Sequence, residues 1–531
     1  MRLLVLLCAV LLGVRFYAAG QLGFGDSEAL YASYALHPQA AYLDHPGLVG
    51  LVARLIGSGT VPAPQQAHVV TAVVASAIPF LVVLVARLAG ASARASVMAG
   101  GVVAVVPELA IGLFGLTPDL LLAPLWLGAI ALALFGLVGP EAPAAPPPDP
   151  RKKLPPGARK KKAAPPPVAK EDWRRPAALA FAGLLAGIGA SAKVSGLLLV
   201  VALAYAYRVA RVRTPLAWAG LAAGVLSFVP VVVFEARAGF PMLHHRFVEA
   251  PSTVHASLPL LALRNVGTLL GGQLAYLSPV LAVLAVIVAR DLVRRRNDDA
   301  ASRVLFAVFA VPVLPLFLLC LLSPVAEPHW LAPPLLVLPV HAARHAELVG
   351  KRVLWAGTGL AAALTALVHL WILVPEVDRV VARYVDPKTD ITNELYGWPM
   401  AVRSIRQTMQ ANATPHDPSG RETIVVAPHW IVCAQLQAAL PDVRVGCATE
   451  IPDDFDRWLP RTTWKNADQV LWVTDNRFAN DGAKELPGHV VASQSTTRIY
   501  RAGREAREFR FLLYSRRAVS SVTPLRPRSS T

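Results

Sequence analysis

Apolar positions dominate the chain from residue 3 to residue 374 and are interrupted at short intervals by charged or turn-forming stretches. The uninterrupted runs predict helices at 3–19, 66–86, 95–112, 120–138, 177–192, 194–210, 215–234, 266–289, 304–322, 331–343 and 353–374. Most approach the roughly 20 apolar residues that a helix needs to cross a bilayer, and a helix satisfies its own backbone hydrogen bonds there. After residue 375 the pattern changes. "ETIVVAP" and "ADQVLWVTD" read as strands, and "WIVCAQLQAALP" between them has helical spacing. Strand–helix–strand alternation predicts a small α/β unit on a short parallel sheet. The tail after Arg501 is basic and is expected to be loose at its end. The expected fold is a polytopic α-helical membrane protein of about eleven spans with a C-terminal soluble α/β domain. The domains are residues 1–375 and 376–531, with residues 139–175 as a loop inside the first.

Composition agrees with the pattern. The 531 residues are 55% hydrophobic and only 16% charged, with a mean hydropathy of +0.49. Charge then orients the spans. With residue 1 in the cytoplasm, 24 of the 30 Lys and Arg in residues 1–375 fall on cytoplasmic loops. Arg15, Arg54, Lys193, Arg237, Arg246 and Arg264 fall outside. That asymmetry obeys the positive-inside rule and places residues 376–531 outside the cytoplasm. The expected location is the inner cell membrane, with a periplasmic C-terminal domain. The first run has a single Arg before it and no small-residue cleavage site, so it is expected to stay as a span rather than be removed. The net charge of +17 implies no nucleic-acid partner. Much of it lies in the Pro/Ala-rich "PEAPAAPPPDPRKKLPPGARKKKAAPPPVAK", which cannot bury a core and suits anionic headgroups. Cys433 and Cys447 both fall in the exported domain, fourteen positions apart, a spacing compatible with a disulfide but not requiring one.

The same orientation sorts the acids. Asp26, Glu28, Asp44, Glu108, Asp119, Glu235, Glu249 and Glu327 all map to the outer ends of spans or the outer loops. The positive-inside rule does not require this, and carboxylates at membrane level are costly unless they face a cavity or a partner. Each has a plainer reading as well. Asp26 suits an N-cap of "SEALYASYAL", Asp119 suits the start of a span, and Glu327 precedes Pro328 in a turn. Lys193 interrupts "GLLAGIGASAKVSGLLLV" at an outer bend, where it suits either an interfacial anchor or a phosphate ligand. "GFPMLHHRF" adds His245 and Arg246, and "SPVAEPHWLAPP" adds Glu327, His329 and Trp330. Acids, cations and aromatics on one membrane face are what transfer from an embedded anionic lipid to a polar acceptor needs. A base takes the acceptor proton, cations stabilise the departing phosphate, and aromatic faces suit a sugar ring.

"DSEALYASYALHPQAAYLDHPGLVGLVARLIG" resembles the first outer loop of the membrane glycosyltransferases that include the protein O-mannosyltransferases and the aminoarabinose transferases of lipid A. Glu28 to Tyr31 and Tyr42 to Pro46 carry the match, and Arg54 fits the end of its short helix. "TPDLLLAPLWLGAIALAL" is similar to the family's second acidic segment at Asp119, and the Gly-rich run ending at Lys193 to its Leu-x-Lys-x-(Ser/Thr)-Gly segment. "GGQLAYLSP" and "EPHWLAPP" also resemble family segments, in the right order over residues 20–340. Three positions depart from the pattern. Ser27 splits the family's Asp-Glu pair, Gly47 replaces a second Pro, and His329 stands where an Asn often precedes the Trp.

The resemblance implies a GT-C fold and an inverting glycosyltransferase that takes a sugar from a polyprenyl-phosphate donor on the non-cytoplasmic side. It implies Asp26 as the base, with Glu28 and Asp44 as substitutes and Asp119 as a further catalytic acid. Lys193, Arg246, His245 and His329 would hold the donor phosphate. Tyr31, Tyr42, His45, Glu327 and Trp330 would line the substrate. No cofactor and no metal site is expected, although related oligosaccharyltransferases use a cation that such acids can hold. The partners expected are the bilayer, the lipid-linked sugar, and a protein, lipid or glycan acceptor. The competing reading is a transporter or lipid flippase with an exported sensor domain. It would place ionisable residues at mid-membrane between repeated halves.

Overall fold

The computed structural model describes residues 1–138, 173–249, 257–324, 326–412 and 423–516. The basic linker at 139–172 and the end of the tail at 517–531 lie outside the described residues. The chain divides into two compact units. The first comprises Met1–Ala19, Gln39–Val49 and Ala67–His369. The second comprises Gly20–Pro38, Gly50–Gln66 and Leu370–Thr531. The loop that follows the first span is therefore shared between them, with Asp26 and Glu28 in one and Asp44 and His45 in the other.

The first unit is helical, and the chain is a multi-pass membrane protein. Among the described residues seven helices are long and apolar enough to cross a bilayer: Arg2–Ala19, Pro64–Leu88, Pro118–Val138, Arg174–Ala192, Pro215–Ala238, Ala300–Leu322 and Lys351–Leu373. The expected count of eleven is not reached, because several predicted spans are short or broken. Ala93–Val105 and Gly196–Val209 are apolar but have 13 and 14 residues, below the usual spanning length. The run expected at 266–289 is two helices, Leu258–Leu277 and Pro279–Arg294, bent by 106°. The cause is local. Ser278 has φ of 74°, a conformation that ends a helix, and Pro279 has no N–H to continue one. The run at 331–343 divides into Pro328–Leu331, Ala332–Leu335 and Val337–Arg344 around consecutive prolines.

Packing follows side-chain size. Arg174–Ala192 and Pro215–Ser227 come into backbone contact, and a Cβ on Gly187 would lie 2.0 Å from the Gly224 carbonyl oxygen. Small residues at such a crossing let two helices approach where lipid offers no hydrophobic drive to associate. Trp126, Leu127, Ile130 and Leu134 of Pro118–Val138 are fully buried in the core of this unit. A cavity of about 180 Å³ runs beside Ala93–Val105, lined by Val102, Val103, Leu281, Leu335 and Leu338, with Glu108 and Lys351 also on its wall.

The second unit holds a five-stranded sheet of β1 (Thr423–Ala427), β2 (Val445–Cys447), β3 (Gln469–Asp475), β4 (His489–Arg501) and β5 (Arg504–Arg516), in the order β2-β1-β3-β5-β4. β1 pairs in parallel with β2 and β3, as the alternation predicts. The sheet is mixed rather than parallel, because β5 runs antiparallel to both β3 and β4. Residues 504–516, the first part of the basic tail, are thus a strand, and the tail's end, where looseness is expected, lies outside the described residues. β1, β3 and β5 carry the core with Ile424, Val426, Trp472, Leu512 and Tyr514. Cys433 on helix Trp430–Ala439 is disulfide-bonded to Cys447 on β2.

Candidate functional site

In the first unit, residues 39–49 form a tight loop. Tyr42 N–H donates to His45 O and Gly47 N–H to Ala40 O. A Cβ on Gly47 would lie 2.0 Å from the Gln39 carbonyl oxygen, so the Gly that departs from the family's Pro is the residue this backbone accommodates. Tyr42 is fully buried, and its hydroxyl accepts from Gln39 N–H at 3.3 Å. The loop aims Asp44 at Arg246, whose Nη2 donates to Asp44 Oδ1 at 3.2 Å. The Arg246 guanidinium also stands 5.3 Å over the Trp330 ring, an arrangement in which the ring quadrupole attracts the cation.

A second ion group lies in the same unit. Lys193 ends the helix Arg174–Ala192, and its Nζ donates to both oxygens of Asp119 at 2.8 and 2.9 Å. Thr117 supplies the cap for Leu120 N–H, which frees the Asp119 carboxylate for Lys193. His329 Nε2 lies 3.8 Å from Asp119 Oδ2, and His329 Nδ1 lies 3.5 Å from Glu327 Oε2. His45 feels the charges of Asp44, Asp119, Lys193 and Arg246 together. Burial, followed by the Lys193 charge, pushes its imidazole down to about 4 against the two carboxylates, so it is neutral near pH 7. Asp44, His45, Asp119, Lys193, Arg246, Glu327, His329 and Trp330 thus form one connected electrostatic set. His245, next to Arg246 in the chain, turns its Nδ1 to Glu249 at 3.1 Å, as does His244. Glu108 belongs to the set as well, a residue that the sequence motifs do not single out. Its charge couples to Asp119 and Lys193. The signal available in sequence was its place among the outer acids.

The second unit holds Asp26, Glu28 and Tyr31 on the short helix Asp26–Ser33. The capping role falls to Glu28, whose Oε2 accepts from Gly25 N–H at 3.2 Å. Asp26 is 6% exposed and bound by residues far along the chain. Arg477 Nη1 donates to its Oδ2 at 2.8 Å and Gln435 Nε2 to its Oδ1 at 3.2 Å. Tyr31 packs edge-on against Tyr34 at 5.9 Å, and Tyr34 against Trp458 at 6.0 Å. Arg54 donates to Ala35 O at 2.8 Å, closing the loop helix back on the segment before it. Among the described residues no group of three or more His, Cys, Asp or Glu is placed to hold a metal ion.

No protein-family model and no curated protein matches the chain. Solved structures do. ArnT from Cupriavidus metallidurans bound to undecaprenyl phosphate superposes with a TM-score of 0.59 at 15% identity, covering 97% of this chain and 98% of that one. The apo state of the same protein gives 0.58 at 16% identity, over 96% and 97%. The Archaeoglobus fulgidus oligosaccharyltransferase in complex with Zn and sulfate gives 0.47 at 12%, over 88% and 67%. Over nearly its whole length the chain therefore has the fold of ArnT, the GT-C architecture that its outer-loop and Lys193 segments resemble.

Proposed function

We propose that the protein is an inverting glycosyltransferase that moves a sugar from a polyprenyl-phosphate donor to a polar acceptor on the non-cytoplasmic side of the membrane. The observation that carries this reading is the paired-charge set in the membrane unit. Lys193 with Asp119 and His329, and Arg246 with Asp44 and Trp330, put cations and acids together at the ends of apolar helices. Lys193 spends two of its three ammonium protons on Asp119 and keeps one for a phosphate oxygen. Arg246 offers a planar fork suited to the same group. The neighbouring apolar cavity of about 180 Å³ suits a prenyl chain.

The reaction balances without a cofactor. A loop carboxylate takes the proton from the acceptor hydroxyl or amine. The freed oxygen or nitrogen attacks the anomeric carbon, and the bond from that carbon to the phosphate oxygen breaks with inversion. Polyprenyl phosphate departs with the bonding pair, its charge met by Lys193 and Arg246. Asp26 is the proposed base on the family resemblance. Asp44 is the alternative that the membrane unit offers, since its side chain is 38% exposed beside Arg246. In its neutral form His45 is a hydrogen-bond partner rather than a cation. Tyr31, Tyr42, Glu327 and Trp330 are carried as substrate-side residues. The acceptor class, whether protein, lipid or glycan, is left to the experiment.

Purified protein reconstituted with a radiolabelled polyprenyl-phosphate sugar and a panel of acceptors tests this. Transfer by the wild-type protein that falls in folded Lys193→Ala supports it. Absence of transfer to every acceptor, together with movement of the labelled lipid between leaflets, supports the transporter reading instead. The helix break at Ser278 is the feature that favours that reading.

A further inference from the structure

We propose that Arg477 is the positioning residue of Asp26, so that the C-terminal α/β domain sets the proton acceptor of the reaction instead of riding along as a passenger. This rests on the assignment of Asp26 as the base.

The geometry begins in the turn after β3. Asp475 is 1% exposed, and its Oδ1 accepts from the backbone N–H of Arg477 at 3.0 Å and of Phe478 at 3.2 Å. Its Oδ2 accepts from Arg477 Nε at 3.0 Å. The guanidinium is thus fixed at its inner edge before it reaches Asp26. Phe478 stacks on His429 at 3.8 Å and lies 5.3 Å beneath the Arg477 guanidinium. On the far side Arg507 Nε lies 3.8 Å from Asp475 Oδ2, and the Arg507 guanidinium stands over both the Trp398 and Phe509 rings, at 5.0 and 5.5 Å. Gln435 is held by a second bond, from its Nε2 to Phe24 O at 2.8 Å.

Charge completes the arrangement. Asp26 faces Arg477 from the turn, Gln435 from the helix Trp430–Ala439 and Glu394 from the short helix Ile391–Leu395. Asp475, Arg507 and His429 stand behind these groups. Burial, and next the Asp26 charge, push the Glu394 carboxyl up to about 8. Burial and the Asp26 charge favour the protonated form of Glu394, in which it hydrogen-bonds to Asp26 as a donor. Two arginines then balance two aspartates. A carboxylate offers about four lone-pair positions. Arg477, Gln435 and Glu394 hold the carboxylate from three separate elements, so its orientation is fixed. A base needs its orientation defined, and these contacts define it.

The test is steady-state transfer by the full-length reconstituted protein. Arg477→Gln is expected to lower kcat about 10- to 100-fold, the range seen when a residue that orients a reactive ligand is lost. KM for donor and acceptor should stay close to wild type, and kcat is read on protein shown to be folded, because breaking a buried pair from one side also costs stability. Arg477→Lys should recover part of the loss, and added methylguanidinium should restore turnover to Arg477→Ala. In the Asp26→Asn background Arg477→Gln should add less than about a further twofold loss, because the two residues act as one unit. Wild-type kcat in a folded Arg477→Gln protein overturns the proposal, as does an equal loss in the presence and absence of Asp26. The outcomes separate from those for the function itself. If Asp26→Asn is fully active, the base assignment fails. If Asp26→Asn is inactive and Arg477→Gln is not, only the positioning role fails.

Discussion

Lys193 and Asp119, 74 positions apart, meet as a two-point ion pair at 2.8 and 2.9 Å with side chains 9% and 22% exposed. The lysine that the sequence allowed to be either an interfacial anchor or a phosphate ligand is neither exposed nor alone. A buried pair is costly to break from one side, because the partner is left as an uncompensated charge.

Lys193→Ala is therefore expected to destabilise the protein by about 3 kcal/mol and to abolish donor use. Lys193→Met with Asp119→Leu should recover much of the stability and none of the transfer. Thermal unfolding in detergent and the labelled-lipid assay measure the two effects separately. Transfer by the double variant would remove Lys193 from the donor site.

Among the loop acids, Asp26→Asn is expected to lower turnover by about two to four orders of magnitude, since the amide keeps the shape and loses the proton acceptor. Glu28→Gln should cost little turnover, because its carboxylate serves Gly25 N–H and an amide oxygen can replace it there. Asp44→Asn is the control for the alternative base. Full activity in all three variants would make the loop structural.

Glu394 predicts a pH dependence of stability. Its carboxyl is raised from the ordinary 4.5 to about 8, so the unfolded chain releases this proton first as pH rises. Its contribution is fully present below pH 4.5 and is lost as pH rises to about 8. Glu394→Gln, which cannot ionise, should flatten the stability profile across that window. Urea titrations of both proteins at pH 5, 6.5 and 8 test the sign.

The Cys433–Cys447 bond closes a short loop between a helix and β2, and both residues are within 1% of full burial. Replacing both by Ser should cost about 3 kcal/mol in the C-terminal domain. Because Gln435 lies on the same helix, transfer should fall as well, and a wild-type kcat in that variant would detach the helix from the Asp26 network.

Orientation has its own test. A reporter active only in the periplasm should be active when fused after Gly397 and silent when fused within 150–170. The opposite pattern would invert the topology drawn from the Lys and Arg asymmetry.

Sequence alone determined what depends on local composition. Apolar runs mark membrane helices, charge asymmetry yields the proposed orientation that the reporter fusions test, and the strand–helix alternation from Thr423 to Asp475 follows from residue periodicity. It also marked nearly every charged residue of the candidate set, because a polar group beside an apolar run stands out. Tertiary structure decided which acid meets which cation. Asp119 takes Lys193, Asp44 takes Arg246 across 202 positions, and Asp26 takes Arg477 across 451. No local signal ranks such pairs, since the carboxylates are chemically alike until folding buries them beside different partners. The β4–β5 hairpin was invisible for a related reason. Most of β4 is exposed on both faces, so it carries no apolar alternation, and its strand conformation is imposed by the ladder to β5 rather than by its own residues.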